Sequence, residues 1–210
     1  MRDYDVLVER VSEFMFSEET FALYKKAKSI ANKVVEYDLP TYYTKETHSG
    51  YIIEGISSTE RDIEIIECDR EDAIADEGIG AFSSIPMLIL NVPYVPTKVL
   101  DETSVRGLFM GEKVKKIESD CLDQQCRFLY VVSSNPNYCS DNNVIYTKDK
   151  SRIVAYAAYK PEEVFEVDDC VKSISRYAFC FTPFLKKLII GKNVDLSVAL
   201  IDKYVEVIRK

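Results

Sequence analysis

The residue types that could carry chemistry are few here, and their spacing does not favour it. The 210-residue chain has one histidine, His48. It lies in Thr44-Lys-Glu-Thr-His-Ser-Gly50, whose Thr, Ser and Gly neighbours read as a turn. A surface turn residue is therefore expected, not a general base held against a substrate proton. Gly78-Ile-Gly80 lacks the further glycines and the lysine-led helix start of a phosphate loop. No G-x-S-x-G elbow, H-E-x-x-H pair or kinase signature occurs. Cys68, Cys121, Cys126, Cys139, Cys170 and Cys180 include no C-x-x-C pair, and Cys121 and Cys126 stand five positions apart. Structural zinc wants paired close spacings. Free, largely buried thiols are expected instead, and these suit a reducing compartment. The sequence thus predicts no enzyme, no cofactor and no metal site.

Carboxylates are the one concentrated chemical group. Lys and Arg number 27 and Asp and Glu 35, a net charge of −8. Between Glu54 and Glu77 stand ten acids and the two bases Arg61 and Arg70, so that window alone carries the whole excess. An acidic chain without a basic stripe argues against nucleic acid. The window reads as a solvated loop and strand edge. The sharper alternative is a metal-dependent protein using segment 54–77, with calcium as the ion, since calcium takes several oxygen ligands. No D-x-D-x-D-G spacing supports it. With 47% apolar and 30% charged residues the chain is globular. No apolar run approaches the ~18 residues of a membrane helix, so membrane insertion is not expected. Met1 to Phe14 has early acids and no long apolar stretch, unlike a secretory signal, which predicts a cytoplasmic protein, or a cell-surface one if a leader was removed.

The elements that must position any site are repetitive. Residues 1–39 predict helix. Ser17 is placed to cap, Glu18 and Glu19 suit the first turn, and Phe21, Tyr24, Ala27, Ala31 and Val34 form an apolar stripe that Pro40 ends. A shorter helix is expected over Val6–Phe14. Beyond it, Ser104-Val-Arg-Gly-Leu-Phe-Met-Gly-Glu-Lys-Val114 and Phe184-Leu-Lys-Lys-Leu-Ile-Ile-Gly-Lys-Asn-Val194 share apolar, two variable, apolar, variable, apolar, Gly, two polar, Val. Val114-Lys-Lys-Ile117 matches Val171-Lys-Ser-Ile174, each followed by a small and a large apolar residue, Cys121-Leu122 and Ala178-Phe179.

With Val92, Met110, Ser133, Val167 and Ile190 as the last strand positions, the steps are 18, 23, 34 and 23 residues. That predicts a 23-residue coil, once shortened and once lengthened. The extra length falls in Asn135–Lys160, where Val144-Ile-Tyr146 and Ile153-Val-Ala-Tyr156 flank the polar turn Lys148-Asp-Lys-Ser151. This reads as a β-hairpin inserted into one coil.

Alternate strand residues of a solenoid stack inward on neighbouring coils. The inward set is predicted as Met87, Leu90, Val92; Val105, Leu108, Met110; Phe128, Val131; Phe165, Val167; and Leu185, Leu188, Ile190. Val114, Ile117, Val171 and Ile174 turn into the core after the strand, and Ala178-Phe179 fill the opposite wall. The remaining positions predict a continuous outer face: Ile89, Asn91, Gly107, Phe109, Tyr130, Val132, Val164, Glu166, Lys187 and Ile189. Within it, Ile89, Asn91, Phe109, Tyr130, Val132, Lys187 and Ile189 are the candidate protein-binding residues, because exposed aromatic and apolar groups anchor interfaces; the alternative is that the N-terminal helices or the inserted hairpin cover this strip.

Val171-Lys-Ser-Ile-Ser-Arg-Tyr-Ala-Phe179, Leu185 to Val194, Val114 to Leu122 and Asn143-Val-Ile-Tyr-Thr-Lys-Asp-Lys-Ser151 resemble the BspA-like leucine-rich repeats of bacteria. The resemblance spans roughly 42–194 and is strongest over 111–194. Cys121-Leu122 stands where the pattern has Ala-Phe, and residues 1–39 lie outside it. The resemblance implies an α/β repeat solenoid, a short array of right-handed leucine-rich-repeat coils. Residues 1–40 would be a helical N-terminal cap, 41–194 the repeats with the hairpin at about 140–160, and 195–210 a C-terminal cap. That last segment reads as a helix started by Asp195 or as a strand at Tyr204-Val-Glu-Val-Ile208. The implied function is a non-catalytic scaffold for an unidentified protein partner, or a cell-surface adhesin module if the chain is exported. An uncapped solenoid end would permit homo-oligomers.

Overall fold

The computed structural model describes the backbone of residues 43–47, 50–54, 63–67, 73–75, 87–95, 105, 107–118 and 126–210, with side chains from residue 88 onward within those segments, except 89. The described elements are strands, β1 to β16 in chain order. The first nine are β1 (Tyr43–Thr47), β2 (Gly50–Glu54), β3 (Ile63–Glu67), β4 (Ala73–Ala75), β5 (Met87–Asn91), β6 (Tyr94–Val95), β7 (Gly107–Met110), β8 (Lys116–Ile117) and β9 (Phe128–Val131). Then come β10 (Tyr138–Asp141), β11 (Val144–Thr147), β12 (Arg152–Tyr156), β13 (Val164–Glu166), β14 (Ser173–Ile174), β15 (Lys187–Ile190) and β16 (Glu206–Arg209).

Successive strands fall alternately into two walls. One wall is the parallel ladder β3-β5-β7-β9; the other is β2-β4-β6-β8, also parallel, with β1 closing its edge as an antiparallel hairpin partner of β2. In the second half the same alternation gives β13-β15-β16 on one wall and the parallel pair β12-β14 on the other. This is a β-solenoid. No described residue is helical, so over the described residues the α/β description is corrected to β. The return from β7 to β8 uses only residues 111–115, too few for a helix, and Val114 and Ile117 are β-branched. The N-terminal cap at 1–40 lies outside the described residues. At the other end, the strand alternative holds with shifted bounds: β16 is Glu206–Arg209, and Tyr204 and Val205 lie in the turn before it.

The inward row corrects the predicted phase. Leu90, Met110 and Val131 are in register, steps of 20 and 21 residues. Glu166 aligns with Ile189 and Ile189 with Ile208, steps of 23 and 19 residues. The expected markers Val92 and Ser133 each lie two residues beyond this row. An offset of two preserves strand parity, which is why Val92 is still buried, whereas Ser133 falls in an exposed turn. Leu88 and Leu129, fully or almost fully buried, are inward residues that the expectation lacked, and Phe128 is only half-buried; the Met87 side chain lies outside the described residues. The other inward expectations hold: Val105, Leu108, Val114, Ile117, Phe165, Val167, Val171, Ile174, Ala178, Phe179, Leu185, Leu188 and Ile190 are all buried.

Polar ladders tie the turns between coils. Asn91, wholly buried, accepts the Lys113 amide on Oδ1 at 2.9 Å. Asn135, equally buried, donates from Nδ2 to the carbonyls of Gly111 (2.8 Å) and Val114 (3.0 Å). Its Oδ1 accepts the amides of Asn137 (2.8 Å) and Tyr138 (2.9 Å). A single amide side chain thus satisfies backbone groups that the turn would otherwise orphan.

The insertion is larger and more central than a hairpin. β10, β11 and β12 form an antiparallel meander. Asp141 pairs with Val144, so Asn142 and Asn143 form a two-residue loop, both at positive φ (45° and 59°). This is the geometry of a type I′ turn, which asparagine tolerates. The apolar core divides at this meander. Val144, Tyr146, Ile153 and Tyr156 pack with Phe165, Phe179, Leu188 and Ile190. Ile145, Val154 and Ala155 pack with Leu90, Leu108, Met110 and Val131. The meander is therefore a wall buried on both faces, with one core on each side.

Candidate functional site

Sheet geometry sorts the candidate face into two groups. Ile89, Phe109 and Tyr130 share one row across β5, β7 and β9. The rings of Phe109 and Tyr130 lie 6.2 Å apart and tilted by 50°. Phe109 is buried and Tyr130 half-buried, while the Ile89 side chain lies outside the described residues. Asn91 and Val132 are withdrawn from solvent altogether, Asn91 into the polar ladder. These two and Phe109 are corrected from exposed face to interior positions.

The second group is open. On β13-β15-β16 the outward rows run Val164–Lys187–Glu206 and Glu166–Ile189–Ile208. Val164 is 49% exposed, Lys187 exposed, and Ile189 and Ile208 half-buried. Charges frame these apolar groups. Lys187 Nζ lies 3.6 Å from Glu206, and Lys210 Nζ lies 2.7 Å from Glu166 and 2.8 Å from Asp169. Asp169 and Glu166 hold the Lys210 ammonium protonated well above its ordinary range. The two groups do not merge into the continuous strip expected from sequence, because β9 and β13 belong to different sheets with the meander between them.

Sequence reasoning missed three positions. Asn135 sits in Ser134-Asn-Pro-Asn137, a string that carries no signal of its burial. Lys160 is buried at 2% exposure, and nothing in its neighbours announces that. Arg209 occupies the inward register opposite Ile190 at the end strand. Its Nη1 donates to the carbonyls of Lys192 (2.7 Å), Val194 (3.1 Å) and Gly191 (3.4 Å), folding a charged group over the coil end. The alternating parity of β15 and β16 was the signal that could have found it.

The chemical groups are dispersed. Cys126 is buried, with its Sγ donating to the Phe128 carbonyl at 3.2 Å; Cys139, Cys170 and Cys180 are free thiols, Cys139 and Cys180 partly buried and Cys170 exposed, against expectation. Burial pushes the Cys139 and Cys180 thiols up, away from reactive thiolate. Among the described residues no three His, Cys, Asp or Glu side chains are grouped to hold a metal. His48 and the acidic side chains of 54–77 lie outside the described residues. No described helix is long and apolar enough to cross a membrane.

The fold is of one class, a repeat β-solenoid divided by a β-meander. No protein-family model and no curated protein matches the chain. Among solved structures it is similar to a leucine-rich repeat protein from Eubacterium ventriosum, with 14% identity over 81% of this chain and 66% of that one and a TM-score of 0.38. It is also similar to the pneumococcal vaccine antigen PcpA, at 11% identity over 82% and 69% with a TM-score of 0.36. A third is a leucine-rich cell surface protein from Faecalibacterium prausnitzii, at 9% identity over 83% and 76% with a TM-score of 0.36. The chain spans 66% of the length of the first of these.

Proposed function

We propose that the chain is a non-catalytic protein-binding scaffold and that its docking surface is the outer face of β13-β15-β16. The observation that carries this reading is the mixed character of that face. Exposed Val164 and half-buried Ile189 and Ile208 stand between ion-paired side chains on three hydrogen-bonded strands. An apolar centre with a charged rim on a rigid sheet is the anatomy of a protein interface. Tyr130, on the other sheet, is a secondary contact in this reading. The free thiols suit a partner met in a reducing compartment.

A photo-crosslinking side chain at position 189 tests the site. It is expected to trap a discrete protein in the source organism that the same group at Arg176 does not trap, and Val164→Asp is expected to abolish the adduct. Equal trapping at both positions, or an adduct that survives Val164→Asp, would move the docking surface elsewhere.

A further inference from the structure

The least expected side chain in the molecule is a lysine inside it. Lys160 lies in the segment joining β12 to β13, and its side chain is 1% exposed. Its Nζ stands 5.2 Å from the centre of the Tyr156 ring and 4.9 Å from that of Phe165. Those two rings pack edge to face at 5.1 Å, and both meet Phe179 in the C-terminal core. The amine approaches Glu162 Oε1 at 3.5 Å without a hydrogen bond, and Tyr156 Oη and Glu162 Oε2 are likewise buried without a partner.

The backbone around this lysine is fastened on the other side. The Tyr159 amide donates to the Cys126 carbonyl at 3.0 Å, and Ala157 and Cys126 both belong to the N-terminal core. The Lys160 amide then donates to the Ala157 carbonyl at 3.1 Å. The segment is thus anchored in one core while its side chain completes the other. An ammonium placed there loses its water and gains two ring faces and one carboxylate oxygen at 3.5 Å without a hydrogen bond, a poor exchange.

We propose that Lys160 is a protonation-sensitive latch between the two cores: loss of its proton tightens segment 157–166, which runs from the end of β12 through β13, and proton uptake loosens it. Among the described residues, the charged and titratable groups facing the amine are Glu162 on its own segment, Asp141 at the end of β10 and the Tyr156 phenol on β12. β13 contributes only the Phe165 ring. Burial pushes the amine below its ordinary value of 10.5, against the opposing pull of Glu162 and Asp141. Burial also pushes the Tyr156 phenol far up, so it stays neutral beside the amine. A base depressed in the closed state destabilises that state while the open state holds the proton. Closure therefore strengthens as pH rises from the folded value toward 10.5.

Hydrogen exchange of segment 157–166 across neutral to alkaline pH, corrected for intrinsic exchange, reads this in the intact chain. In the wild type the opening equilibrium is expected to fall by up to about tenfold per pH unit within that window. Lys160→Met is expected to fold, to be more protected at neutral pH and to lose the dependence. Glu162→Gln, which removes a carboxylate that favours the charged amine, is expected to open more at neutral pH and to extend the window downward. A flat wild-type profile, a wild-type slope retained in Lys160→Met, or a Lys160→Met chain less protected than wild type overturns the latch.

Discussion

Single side chains carry disproportionate weight in the turns between coils. Asn135 makes four hydrogen bonds to backbone groups of two coils from a wholly buried position. Asn135→Ala is therefore expected to cost about 3 kcal/mol, read by chemical denaturation, because buried donors and acceptors are left unpaired. Gly111 is constrained differently. A Cβ there would run into the side chain of Asn91, which itself receives the Lys113 amide. Gly111→Ala is expected to destabilise by about 2 kcal/mol through overpacking and loss of that bond, and a midpoint unchanged from wild type would refute the close approach. Tyr156 runs the other way. Its hydroxyl is buried without a partner, so Tyr156→Phe is expected to be neutral or up to about 1 kcal/mol stabilising. Asp149 illustrates an exposed residue with a local task. The Thr147 hydroxyl, then the Ser151 amide and hydroxyl, bond its carboxylate and lower its pKa to about 2. Its contribution to the 147–151 turn is present above the ordinary value of 3.8 and is lost as pH falls through about 2. A carboxyl titration followed by NMR should place the midpoint near that lower value.

At the scale of elements, the repeat was legible in Ser104–Val114 and Phe184–Val194, where Val105/Leu185, Leu108/Leu188 and Met110/Ile190 point inward as their spacing requires. Where the repeat pattern thinned, parity alone could not fix the register, and Val92 and Ser133 slipped by two positions. The meander was legible as two β-branched runs around a polar turn, but β10 was not. Tyr138-Cys-Ser-Asp141 lacks the apolar alternation of a half-buried strand. It is held by backbone pairing to β11 and by cross-links such as Tyr138 Oη accepting the Ile117 amide and Ser140 Oγ accepting that of Val131. The outward set was half legible. Outward parity found Lys187 and Ile189, but the burial of Phe109 and Val132 comes from tertiary cover that parity cannot report. Both faces of β11 are load-carrying, so Val144→Ala and Ile145→Ala are each expected to cost about 1 to 3 kcal/mol. A surface hairpin would show no such cost on one of its faces.

The molecule as a whole is a solenoid whose stacking is interrupted and then resumed. Its C-terminal strand β16 pairs with β15 alone among the described strands, and Arg209 and Lys210 lay charge across that end. Edge strands dressed with cations resist accidental strand addition. Arg209→Leu is therefore expected to promote concentration-dependent association, seen as a shift in sedimentation, while wild type shows none through this edge.

The two-sided meander also shapes how the molecule tolerates error. Residues that share no packing partners change stability independently, whereas neighbours couple. Leu108 and Leu188 lie on opposite sides of the wall. Defects on opposite sides are thus insulated from each other, and each half can drift in sequence without asking the other to compensate.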